Sequence, residues 1–153
     1  MKKNYLFKFG LFMIPFTAFI LIANSSGRDD ARSGSPGDGG ATCASCHTGG
    51  SAGASLAITT NIPTTGYDTN TAYTVTVNNS SSASAHGFQL VAEQTSNDAK
   101  VGGFTAGTGS RVSGDRITHS NSSQNSWSFT WTSPATDVGA VKFYAASVAA
   151  NGN

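Results

Sequence analysis

Charge, cysteine, methionine and glutamate are all scarce in this sequence. Of its 153 residues 11% are charged, two are cysteine, two methionine and four proline, and Glu93 is the single glutamate. Both cysteines fall in one short segment, Cys43 to Cys46. No disulfide can therefore staple distant parts of the chain, and stability must come from a packed core. Beyond residue 23 no apolar run is long enough to span a bilayer, which excludes an integral membrane enzyme. No basic patch of the kind that neutralises phosphates is present, so nucleic acid is excluded as a partner. No window of helical length carries a 3.6-residue apolar period, which argues against an α/β fold.

The one long apolar run lies at the start. Lys2, Lys3 and Lys8 precede an uncharged stretch from Phe9 to Ala23, and small residues follow from Ala23 to Gly27. This order reads as a secretory signal peptide over residues 1–25, cleaved near Ala23 or Ser25. A retained transmembrane anchor is the alternative. Export places the protein in the periplasm or at the cell surface. Without residues 1–23, six cations (Lys100, Lys142, Arg28, Arg32, Arg111 and Arg116) face seven aspartates and Glu93, for a net charge of −2.

Residues 26–53 hold almost no core formers and many glycines, and read as an irregular arm. Residues 54–153 read as a β-domain. Leu56 and Ile58, then Tyr73, Val75 and Val77, then Phe88, Leu90 and Ala92 recur with period two. Trp127, Phe129 and Trp131 continue it, as do Val141, Phe143 and Ala145. Such runs between Gly-, Asn- and Ser-rich turns predict an all-β antiparallel sandwich. Phe104 and Ile117 are expected to add to its core. Period-two aromatics are usually core, so Trp127, Phe129 and Trp131 are assigned there rather than to a ligand groove.

Within the arm, Cys43-Ala44-Ser45-Cys46-His47 has the spacing of the haem c attachment signature. Two thioether links from Cys43 and Cys46, with His47 as iron ligand, would carry one covalent haem c and pin the arm to the β-domain. Met1 and Met13 both lie in the leader, so the sixth ligand would be His119, or else His86 or an open site. Bis-histidine iron implies a low-potential electron-transfer protein with a redox partner protein. Three other readings of the motif remain: a local Cys43–Cys46 disulfide, a thioredoxin-like redox pair, and zinc completed by His86 or His119. An open distal site would suit a sensor or peroxidase-like enzyme, but no acid–base or nucleophilic constellation is evident. A surface structural or adhesion domain without haem is the alternative to the cytochrome reading.

Several runs together resemble a known family. They are Gly34-Ser35-Pro36-Gly37 through His47, Gly87-Phe88-Gln89-Leu90, Phe104-Thr105-Ala106-Gly107, Ile117-Thr118-His119-Ser120, Ser126 to Pro134, and Val141 to Ala146. In this order they resemble the choice-of-anchor V proteins, exported proteins whose β-domain is similar to the reeler domain. The resemblance implies an immunoglobulin-like sandwich in the periplasm or at the cell surface, and says little about activity. Relatives usually continue past the point where this chain stops at Asn153, with a turn and a further strand. The chain is then a fragment, or its last strand comes from a partner, as in self-assembly by strand addition.

Overall fold

The computed structural model describes residues 26–47 and 54–150. The expected signal peptide at 1–25 lies outside the described residues. Eight strands are formed: β1 (Ser55–Thr60), β2 (Ala72–Ser80), β3 (Ala85–Gln94), β4 (Gly103–Thr105), β5 (Ser110–Ser113), β6 (Arg116–His119), β7 (Ser126–Thr132) and β8 (Val141–Ala150). They make two four-stranded sheets, ordered β1-β2-β7-β4 and β5-β6-β3-β8, with antiparallel pairing throughout. The all-β antiparallel sandwich expected from the sequence is the fold observed. No helix among the described residues is long and apolar enough to cross a membrane.

Each sheet turns its period-two apolar face inward. On the first, Tyr73, Val75 and Val77 of β2 stand opposite Trp131, Phe129 and Trp127 of β7. Aromatic side chains thus pair with β-branched ones across the ladder, a stabilising combination. On the second, Phe88, Leu90, Ala92 and Ile117 close the core with Val141, Phe143 and Ala145 at its rim, where Phe104 of the first sheet also packs. The Phe88 ring sits 4.7 Å from that of Trp127 and stacks on that of Phe129 at 5.7 Å. The core assignment of the aromatic stripe is correct.

One strand departs from simple alternation. Every residue of β3 from His86 to Glu93 is buried, including Gln89 and Glu93 on the face away from the core. A strand buried on both faces needs cover on both. That cover is the N-terminal arm, which lies across the outer face of the second sheet. Its centre is a hairpin closed by the Ser33–Thr42 bridge and by the Gly34 amide donating to the Ala41 carbonyl. Inside it, Pro36–Asp38 form a 3-10 turn that ends at Gly39 in the left-handed conformation, φ 71°. Proline opens and glycine closes the turn, as their backbone preferences favour.

Candidate functional site

The cysteine motif sits at the end of the arm in a second 3-10 turn, Cys43–Ser45. Thr42 caps it, its Oγ1 accepting from the Ala44 amide, and the Cys46 and His47 amides both donate to the Cys43 carbonyl. In a 3-10 turn residues three apart lie on one face, so Cys43 and Cys46 project to the same side. The turn packs against β8. Cys43 is partly buried, Cys46 is exposed, and both thiols are free. Burial pushes the Cys43 thiol up; its own backbone hydrogen bond and Arg32 oppose that, and neighbouring Cys46 adds to it.

Cys43, Cys46, His47 and His119 line one cavity with Arg28, Arg32, Phe88 and Val148. The structure therefore brings together all four residues singled out in the sequence. It does not give them the expected chemistry. The cavity is about 50 Å³, room for a few water molecules. Among the described residues no group of three or more His, Cys, Asp or Glu side chains is disposed to hold a metal ion.

Each of the two candidate distal histidines is bonded within the fold through one ring nitrogen. Nδ1 of His119 lies 3.2 Å from both the amide nitrogen and the carbonyl oxygen of Phe88, and its ring stands against Gly87, where a Cβ would come within 2.5 Å of Cε1. Only glycine lets the imidazole approach so closely. Burial holds His119 below the usual imidazole range, the Phe88 backbone works against this, and Arg111 and His47 lower it further. Nε2 of His86 is 2.9 Å from Ser81 Oγ, within a buried residue. Through these contacts both rings are anchored on the second sheet.

What pins the arm is a set of side chains that sequence reasoning passed over. Gln89, 2% exposed, holds three backbone groups of the arm: its Nε2 donates to the Arg28 and Asp30 carbonyls, and its Oε1 accepts from the Arg32 amide. Replacing Gln89 by leucine leaves these buried groups without a partner. The expected cost is about 1–3 kcal/mol, with faster hydrogen exchange at the Arg32 amide. Exchange at the wild-type rate in that variant would show that Gln89 does not hold the arm.

Further along, Lys100 bridges two carboxylates, 2.6 Å from Glu93 Oε1 and 3.0 Å from Asp38 Oδ1, while Arg116 reaches Asp38 at 3.1 Å. Gly37 donates to Glu93 Oε2 at 3.3 Å, and a Cβ there would collide with Asp98 and Glu93. The signal that could have found this clasp is Glu93 itself, the only glutamate of the chain, set seven residues before Lys100.

These charges make arm docking pH-dependent. Burial would raise the Asp38 carboxyl, but hydrogen bonds from Lys100 and Ser33 and the charges of Lys100 and Arg116 hold it below the usual range. Its contribution is present above the unfolded value near 3.9 and is lost as pH falls through the folded one. Burial would lower Lys100, but Glu93 and Asp38 raise it. That contribution is present below about pH 10.4 and is lost as pH rises through the folded value. His119, lowered, adds a milder loss as pH falls below about 6.5. Thermal melts from pH 2 to 11 should show all three, with the acid limb flattened in Asp38→Asn. An acid limb unchanged by that substitution contradicts the assignment.

Comparison with known proteins agrees with the fold. Residues 41–152 match the family model of the Reeler domain. Three similar solved structures are F-spondin domains. One fragment of the human F-spondin reeler domain is 17% identical with a TM-score of 0.51, over 59% of this chain and 75% of that one. The other is 20% identical with a TM-score of 0.51, over 67% and 79%. The Reelin-N domain of F-spondin is 19% identical with a TM-score of 0.54, over 63% and 73%. None of the curated proteins matches the chain.

The match is to a reeler domain and not to a cytochrome. Together with the lack of a metal-holding cluster among the described residues, this overturns the reading of Cys43, Cys46, His47 and His119 as a haem c or iron site. With it fall the electron-transfer function and the expected redox partner.

Proposed function

The chain belongs to the Reeler domain family, and from that premise we propose that it is an exported structural or adhesion module that joins other surfaces instead of converting a substrate. The observation that carries this reading is the family match across the whole sandwich, on a domain whose arm is held by its own side chains. Location outside the cytoplasmic membrane rests on the leader sequence, and narrower membership of the choice-of-anchor V group, at the cell surface, on the ordered motifs from Gly34 to Ala146. Deleting residues 54–153 in the native cells is expected to reduce attachment between cells or to a support while leaving respiration unchanged. Unaltered attachment with impaired respiration would contradict it.

The cysteine pair has a structural part in this reading. Cys43 and Cys46 share one face of their turn, and exposed Cys46 is the thiol an oxidant reaches first. In an oxidising compartment the two thiols join as a local disulfide, giving two electrons and two protons to a disulfide acceptor that becomes a dithiol. Alkylation of the exported protein is expected to add two adducts per chain only after reduction. Two adducts without reduction would show that the thiols stay free.

A further inference from the structure

A second cavity, of about 430 Å³, opens at the end of the sandwich where β1, β3 and β7 finish and β2, β4 and β8 begin. Its volume is in the range of ligand pockets. The ends of the described segments all lie in the other half of the molecule. Gly27 bonds to His119, which stands against Gly87, and His47 lines the first cavity with Val148. Ser55 and Ala150 pair with Ser80 and Ala85.

The walls are held in place before any ligand arrives. Trp131, fully buried, lies at the base, its Nε1 donating to the Val101 carbonyl at 3.2 Å. Tyr67 and Phe143 stand edge-on to that indole, at 5.7 and 5.2 Å, and Ile62 and Val141 extend the apolar lining. The Tyr67 hydroxyl donates to the Gly139 carbonyl at 3.0 Å and accepts from the Val138 amide at 3.3 Å, tying the β1–β2 loop to the β7–β8 loop. Among the described residues Asp137 is the one charged side chain in the lining. Its Oδ1 accepts from the Gly139 amide at 2.8 Å, which orients the carboxylate, and its Oδ2 has no partner among the described residues.

The charge of this end has one sign. Each of its three loops carries an aspartate: Asp68 between β1 and β2, Asp98 between β3 and β4, and Asp137 between β7 and β8. None of the three is in an ion pair, whereas every other aspartate and Glu93 are paired, among the described residues. The neighbouring cations are turned elsewhere. Lys100 is bound to Glu93 and Asp38, and Lys142 points to the opposite face of β8 from Phe143. An anion entering the cavity would meet like charge, while a cation with an apolar stem meets aromatic walls and a half-free carboxylate.

We infer that this cavity takes an arginine side chain displayed by a partner protein. The aliphatic stem packs against Ile62 and Val141, and the guanidinium lies between the Tyr67 and Phe143 rings with Asp137 Oδ2 as its acceptor. A guanidinium suits such a site better than an ammonium, because it is planar, stacks on aromatic rings and is more weakly hydrated. The inference deepens the structural reading of the module by naming what one of its surfaces holds, and rests on that reading.

The test is an NMR titration of the chain recovered from the exported fraction with the blocked peptide acetyl-Gly-Arg-Gly-amide. The Tyr67, Val138, Gly139 and Phe143 amide signals should shift and saturate in the millimolar range. The same peptide with citrulline keeps the shape and loses the charge, and should bind at least about tenfold more weakly. Asp137→Asn keeps the acceptor for the Gly139 amide and removes the charge, and should weaken arginine binding about threefold. Ala140→Phe, at an exposed position of the lining, should fill the cavity and abolish it. If Ala140→Phe does not fold, the citrulline peptide and Asp137→Asn decide. Four results would overturn the inference: no shift at these amides, equal affinity for the citrulline peptide, unchanged affinity in Asp137→Asn, or tighter binding of free arginine than of the peptide. None of them touches the attachment phenotype that tests the structural reading.

Discussion

Replacing Lys100 by methionine is expected to destabilise the protein by about 3–5 kcal/mol, far more than an exposed ion pair is worth. Glu93 is 1% exposed, and among the described residues Lys100 is the one cation bonded to it. Without Lys100 its carboxylate is left buried beside a second carboxylate, Asp38, which keeps Arg116. The Gly37 amide alone cannot offset that desolvation. The double variant Glu93→Met, Lys100→Met removes charge and counter-charge together. It should recover at least about 2 kcal/mol of the loss, because an apolar pair of similar volume carries no desolvation penalty. Urea unfolding of wild type, single and double variants measures both effects. A single-variant cost under about 1 kcal/mol would place the clasp with ordinary surface pairs.

Phe88→Ala is the second large effect, expected at about 3–5 kcal/mol. The ring is 1% exposed and packs between Trp127 and Phe129, so its removal leaves a cavity that two rigid aromatic neighbours cannot fill. Phe88 also lines the small cavity under the cysteine turn. Loss of its ring should open that cavity, so alkylation of Cys43 in reduced protein should accelerate along with the loss of stability. Phe88→Leu keeps most of the volume and should cost under about 1.5 kcal/mol. Equal stability of the alanine variant and wild type, or an unchanged Cys43 rate, would break the proposed link between core and arm.

The parts legible in the sequence are those fixed by local period. Tyr73-Val75-Val77 and Trp127-Phe129-Trp131 announced half-buried strands, and the structure pairs them register for register. Phe104 was read as a core contact without a strand of its own, because β4 is too short to show a period, whereas Ile117 was read in a strand reaching His119, which is β6. Gln89 and Glu93 lie on the other face of the strand that Phe88, Leu90 and Ala92 mark, and nothing in their spacing showed that this face is buried as well. Burial of that face depends on an arm some 55 residues earlier in the chain, and no local pattern carries that information. The cysteine motif was misread for a related reason. Its spacing is equally that of a one-turn 3-10 segment with both thiols on one side, and the size of the space around it is a tertiary property. His119 illustrates the same limit, since a lone histidine near a strand end is more often a partner for backbone than for metal.

That correction is open to one direct measurement, the intact mass of the chain purified from the exported fraction of its native cells. A structural module whose arm is held by Gln89, Glu93, Lys100, Asp38 and Arg116 should have the mass of its polypeptide alone. A mass greater by one haem, lost only on cleavage of thioethers at Cys43 and Cys46, would contradict it.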